Sequence, residues 1–295
     1  MTETTRVDFH CHSTHSDGML GPRELAQTLQ ADGVTVAALT DHDTTDGLVE
    51  FREALTRHGI GFISGVELTT RYRGEETHLL AYGVDPLHPG LQAAMLAQRQ
   101  TQLPGVQSIA ESLRVRGSAR LAEGGIPPTR SADGGLDIAH AIQLVHEAGG
   151  KAFLAHPHML GGDLDLFRSA FTELRAQGLD GIEAYYQSYS PAQQQMLIGL
   201  ANELGLLISG GTDAHERRPG AANAFGVAMP TPVWKAFRDA VFSGGAARVG
   251  GLSPALPPVR RRPKWRHFIF HFIFPALLAL TLFACLLYTS DAADE

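Results

Sequence analysis

The chain has 295 residues, a formal charge of −7, and 44% apolar against 19% charged residues. That is room for one large domain or two small ones with a sizeable core, and it excludes bulk disorder. Up to Pro258 there are 19 Lys and Arg against 28 Asp and Glu, an excess of nine acids. This excludes a grip on long duplex nucleic acid through phosphate contacts, but not a small anionic substrate held through metal ions.

Two cysteines, Cys11 and Cys285, without a CxxC spacing exclude a disulfide framework and a cysteine zinc site. The polar start "MTETTRVDF" lacks a basic, apolar secretory pattern. Both features lead to the expectation of a reducing, cytoplasmic setting.

In chain order, seven strand-like runs follow one another: "RVDFHCH", "VTVAALTDH", "GIGFISGVEL", "THLLAYGV", "KAFLAHP", "LDGIEAYY" and "LLISGGTDAH". Amphipathic stretches alternate with them, among them "PRELAQTLQADG", "DIAHAIQLVHEAGG" and "SPAQQQMLIGLANELG". In the last, Ser190 predicts an N-cap, Pro191 the first helical position and Gly205 the stop. Continuous apolar strands alternating with helices predict an α/β fold with a mostly parallel sheet covered on both faces.

Residues 86 to about 135 break the rhythm. A helical pattern interrupted by Pro104 gives way to the Gly- and Pro-rich "GSARLAEGGIPPTRSADGG", which reads as an insertion on the main domain, residues 1–252. Residues 253–266, "SPALPPVRRRPKWR", read as a Pro-rich basic linker. The apolar run 267–284 is long enough for a transmembrane helix, which would anchor a cytoplasmic domain to the inner face of the plasma membrane. The last residues, 285–295, "CLLYTSDAADE", read as the in-frame translation of a sequencing-library adapter. The natural chain is therefore expected to continue differently after Ala284.

Polar groups gather at the ends of the strand-like runs. His10 and His12, His42, Glu67, His156, and Asp213 with His215 all fall at or just past a C-terminal end, while His78 stands at the start of its run. Side chains at the strand ends of a barrel converge on one mouth, so this recurrence favours a barrel. In HxH the period of two puts His10 and His12 on one face and Cys11 on the other. Neutral imidazole and carboxylate are the usual ligands of zinc, manganese and iron. With Asp17 the chain offers nine such groups, more than a mononuclear site needs, which points to two or three divalent ions.

"DFHCHSTHSDG", "LTDHDT", "GVELT", "THLLAYG", "LAHP" and "GGTDAH" occur in the order typical of the PHP (polymerase and histidinol phosphatase) superfamily, and residues 6–250 resemble its stand-alone nucleotide phosphatases and short-oligonucleotide exonucleases. The resemblance implies a distorted seven-stranded (β/α) barrel with a trinuclear centre, Mn²⁺ first and Zn²⁺ or Fe²⁺ after it. One ion would take His10, His12, Glu67 and Asp213. A second would share Glu67 and add His78 and His156, and a third would take Asp17, His42 and His215.

The implied reaction is hydrolysis of phosphate monoesters on nucleoside mono- or bisphosphates or short oligonucleotide ends. Cations neutralise the ester and lower the pKa of a bound water. Arg217, Arg218, Tyr185 and His158 are candidates to touch the substrate. Two alternatives stand beside this reading: a phosphatase of a histidinol-phosphate-like metabolite, and a membrane-tethered regulatory or binding module. Amide hydrolysis on a related barrel is weaker, because Lys151 stands at the wrong end of its run to bridge metals.

Overall fold

The computed structural model describes residues 3–102, 135–157, 164–216 and 225–243. The central part of the insertion, the linker, the apolar run 267–284 and the tail lie outside the described residues, as do Arg217, Arg218 and His158. No helix among the described residues is long and apolar enough to cross a membrane.

The described residues form eight strands and seven helices. The strands are β1 (Thr4–Asp8), β2 (Val36–Leu39), β3 (Gly61–Tyr72), β4 (Glu75–Tyr82), β5 (Lys151–Leu154), β6 (Gly181–Tyr186), β7 (Leu207–Gly211) and β8 (Val227–Pro230). The helices are α1 (Pro22–Ala31), α2 (Leu48–Arg57), α3 (Pro89–Gln102), α4 (Ile138–Glu147), α5 (Leu164–Ala176), α6 (Pro191–Leu204) and α7 (Thr231–Ser243). The α6 boundaries follow from local chemistry. Ser190 accepts a hydrogen bond from the Gln193 amide, Pro191 opens the helix, and Gly205 closes it at φ 65°.

The strands lie in the order β7-β6-β5-β4-β3-β2-β1-β8. Just past β1 the sheet curls back on itself. Phe9 N donates to Gly210 O (3.1 Å), Asp213 N to His10 O (2.7 Å) and His12 N to Ala214 O (3.1 Å). Seven strands therefore form a nearly closed ring, as expected from the sequence. The eighth, β8, is an addition that pairs antiparallel with β1 from Thr4↔Pro230 to Val7↔Val227. It spans four residues and ends in Pro230, a residue that weakens a strand signal.

The ring is parallel except at β4, which runs antiparallel to both β3 and β5. Arg73 and Gly74, both at positive φ, make the tight β3–β4 turn. This reversal explains why His78 stands at the start of its strand: the beginning of β4 is at the same mouth as the ends of the others.

Three apolar clusters hold the fold. Inside the ring, Val7, Phe9, Val36, Ile63, Leu80, Tyr82 and Phe153 meet Trp234, Phe237 and Val241 of α7, which share one helix face and plug the barrel. Outside, α1 and α2 pack Leu25, Leu29, Phe51 and Leu55 over Ala37 and Leu39. Helices α3 to α6 cover Val66, Leu68, Leu79 and Ile182 on the other side.

Candidate metal centre

The closing seam of the ring builds the centre. The His10–His12 segment lies parallel to Asp213–His215, with a bridge between Cys11 and Ala214, so the HxH and DAH triplets face one another. This approach requires glycine at 211, where a Cβ would lie 2.4 Å from the Cβ of His10. Regular β1 stops at Asp8 and the phase of alternation changes after Phe9. Val7 and Phe9 enter the barrel core, Cys11 enters the outer cluster, and His10 and His12 both turn into the mouth. On the opposite wall His42 bridges Glu67, and Asp43 N donates to Glu67 O at 2.8 Å. His78 sits opposite Thr69 in the β3–β4 register, and Ala155 N donates to His78 O at 3.0 Å. His156 thereby follows directly beside His78.

Glu67 is the hub. Its Oε2 lies 3.0 Å from His10 Nε2 and 3.2 Å from His12 Nε2, while its Oε1 lies 3.0 Å from His78 Nδ1 and 3.2 Å from His156 Nε2. Asp213 Oδ1 lies 3.2 and 3.0 Å from the same two nitrogens, His10 Nε2 and His12 Nε2. Further out, Asp17 Oδ2 is 3.1 Å from His215 Nε2 and 3.8 Å from His42 Nε2, and Asp17 Oδ1 is 3.6 Å from His12 Nδ1.

Three groups are compact enough to hold an ion: His10, His12, Glu67 and Asp213; His42, Glu67 and His78; and His12, Asp17, His42 and His215. The first coincides with the set implied by the sequence resemblance. In the others His42 and His12 each stand between two groups, and His156 reaches the centre through Glu67. His12 Nδ1 is buried with no hydrogen-bond partner, as suits a nitrogen that faces a cation. Imidazole and carboxylate in these groupings form a donor set suited to divalent ions.

The electrostatics of these side chains agree with that use. Burial alone would keep His10 neutral, but Glu67, then Glu183 and Asp213, raise its pKa well above the ordinary histidine value. His12 moves up to about 9, again against burial, through hydrogen bonds to Asp213 and Glu67. Burial pushes the Glu67 carboxyl up, yet the histidines, His10 first, hold it well below the usual range. Asp213 is lowered in the same way. The carboxylates of this buried cluster thus favour positive charge at the site, which protons supply in the absence of cations.

Four residues around the centre were not assigned a role from the sequence. Glu183, fully buried, meets His10 Nδ1 at 3.0 Å. Tyr186 donates its hydroxyl to Asp213 Oδ2 at 2.9 Å. Asp41 accepts bonds from Ser13 N, Ser13 Oγ and Ser16 Oγ, each at 2.7 Å, holding the loop between His12 and Asp17. Asp8, read as a strand residue, accepts from Thr212 N, Thr212 Oγ1 and Gly226 N at 2.7–3.0 Å. It joins β1 to the end of β7 and the start of β8, and burial pushes its carboxyl up to about 6.

Tyr185, a substrate candidate from the sequence, is half-buried and packs against two of the apolar clusters. Its neighbour Tyr186 is the tyrosine that reaches the centre. His15 is exposed and joins none of the three groups.

A distorted barrel whose strand ends converge on a bridging carboxylate and clustered histidines defines a metal-binding α/β barrel. The description "PHP domain" matches residues 8–109. A 5'-3' exoribonuclease of Haemophilus influenzae is 32% identical over 248 residues, covering 72% of this chain and 90% of the relative. A 3',5'-nucleoside bisphosphate phosphatase of Chromobacterium violaceum is 29% identical over 247 residues, covering 71% and 87%. A solved structure from Chromobacterium violaceum, described as an amidohydrolase with bound sulfate and no metal, aligns with a TM-score of 0.63 at 26% identity. It covers 79% of this chain and 95% of that one. The chain belongs to the PHP domain family.

Proposed function

We propose that the chain is a metal-dependent phosphoesterase that hydrolyses phosphate monoesters of nucleotides, nucleoside bisphosphates or short oligonucleotide ends, with Mn²⁺ as its working ion. The observation that carries this reading is the two-sided use of Glu67. One oxygen faces His10 and His12, and the other faces His78 and His156. A carboxylate so placed serves two adjacent cations, the arrangement suited to displacement at phosphorus. The similarity to a nucleoside bisphosphate phosphatase and an exoribonuclease supports the same substrate class.

Ions at His10, His12, Glu67 and Asp213, and at Glu67, His78 and His156, would neutralise the ester's charge and acidify a coordinated water. The chain's own part is to prepare that site. Burial of Glu67, His10 and His12 excludes bulk water and strengthens every charge interaction there. Asp17 and His215, on the exposed side, leave the approach open to a substrate. Asp41 fixes the loop that delivers Asp17.

The test is phosphate release by the chain in Mn²⁺ across nucleoside mono- and bisphosphates, short oligonucleotides, and sugar and amino-alcohol phosphates. We expect turnover concentrated on the nucleotide-type esters and lost in His10→Ala/His12→Ala. Turnover confined to amino-alcohol or sugar phosphates would transfer the assignment to metabolite phosphatases. No turnover with metal bound would overturn the enzymatic reading.

A further inference from the structure

Six strands of the ring, β1 to β5 and β7, deliver at least one of the nine candidate ligands at the mouth; β6 delivers none. It ends instead in Glu183 and Tyr186, and these two touch three of the nine. Glu183 meets His10 Nδ1 with both oxygens, at 3.0 and 3.2 Å, and its Oε2 accepts from His156 N at 2.9 Å. Tyr186 donates to Asp213 Oδ2 at 2.9 Å.

We propose, building on the metal-centre reading above, that β6 is the positioning strand of the centre, with Glu183 aligning ligands of two ions and Tyr186 aligning a ligand of one. Glu183 accepting at His10 Nδ1 places the proton there and leaves the Nε2 lone pair toward Glu67 and Asp213, where an ion would sit. The same carboxylate ties down the backbone of His156, whose φ of 26° is a strained value for a non-glycine residue. Tyr186 occupies one oxygen of Asp213 and leaves the other, Oδ1, facing His10 and His12. Asp213 too has a positive φ, 52°, so its side-chain anchor and its backbone turn act together.

A backbone irregularity makes the arrangement possible. In a regular strand residues three apart face opposite sides. Here Glu183 pairs with Ser209 while Tyr185 pairs with Gly210, so Ala184 is extra and the phase shifts. Glu183 and Tyr186 then both face the mouth, and Ala184 enters the outer core. Gly210 accommodates the bulge, since a Cβ there would lie 2.5 Å from the Cβ of Tyr185.

The experiment is a Mn²⁺ titration of the chelator-stripped full chain by calorimetry, with retained Mn²⁺ per chain counted after desalting, and no substrate present. Tyr186→Phe is expected to weaken one ion by about 10- to 100-fold, the range for loss of a ligand's outer partner, with an unchanged melting temperature for the stripped protein. Glu183→Gln should weaken two ions, because an amide offers one acceptor and turns its NH₂ toward a donor. If Glu183→Gln fails to fold, Tyr186→Phe alone decides. Wild-type affinity and count in Tyr186→Phe would overturn the proposal whatever the activity. Wild-type protein that binds Mn²⁺ but hydrolyses no ester would overturn the phosphoesterase reading and leave this one standing. Wild-type protein that binds no Mn²⁺ would overturn both.

Discussion

At the floor of the barrel Phe9 stacks on Phe237 of α7 at 4.6 Å and 7°, with Tyr82 edge-on and Phe153 tilted against Phe237. One residue further along the same chain, His10 opens a cluster of buried carboxylates and imidazoles at the mouth. The floor is held by contacts that need no partner outside the protein. The mouth concentrates charges that burial makes costly unless each is paired, and it pairs them with one another. Neighbouring halves of one interior thus divide the work, the floor supplying stability and the mouth tolerating an arrangement selected for chemistry.

Glu67→Gln should separate the two halves most sharply. It removes the shared carboxylate, and we expect a fall in phosphate release beyond about 100-fold, more than loss of an outer partner costs, together with reduced Mn²⁺ retention. Circular dichroism should show the barrel intact; a collapsed fold would mean that the mouth also carries stability. Phe237→Ala is the converse. It should destabilise the protein by about 3–5 kcal/mol in denaturant unfolding, with the metal count per folded chain unchanged.

A third expectation concerns pH. The folded-state pKa of His12, about 9, lies above its ordinary value of 6.5. The stability it contributes in the stripped protein is therefore complete below pH 6.5 and is lost as pH rises through about 9. Chemical denaturation across that window should show the decline, and saturating Mn²⁺ should flatten or reverse it because bound metal favours the deprotonated ring. The smallest effect belongs to neither half. Arg23→Ala removes an exposed pair with Glu50 and should change stability by less than about 1 kcal/mol in the same assay.

Much of the ring was legible because its strands are apolar runs that end in chemistry-bearing residues. The α6 caps were legible because capping is local. Glu183 and Tyr186 were not, since which way they face depends on a bulge that leaves no composition signal. Asp8 was legible as a strand residue but its bonding was not, because its partners Thr212 and Gly226 lie more than 200 positions away. Strand β8 ends in a proline that weakens its strand signal, and the reversed direction of β4 showed only as the odd position of His78.

That reversal has a consequence for how the molecule can vary. Because β4 runs from the mouth back to the floor, α3 must climb again. Near its end Gln98 donates to Thr69 O and Arg99 to Asp43 O, both beside the centre. The chain is next described at the same level, where Arg71 N donates to Leu136 O. The two described flanks of the insertion thus meet at one rim of the barrel. Residues can be added or removed between those flanks without redirecting any strand that carries a candidate ligand.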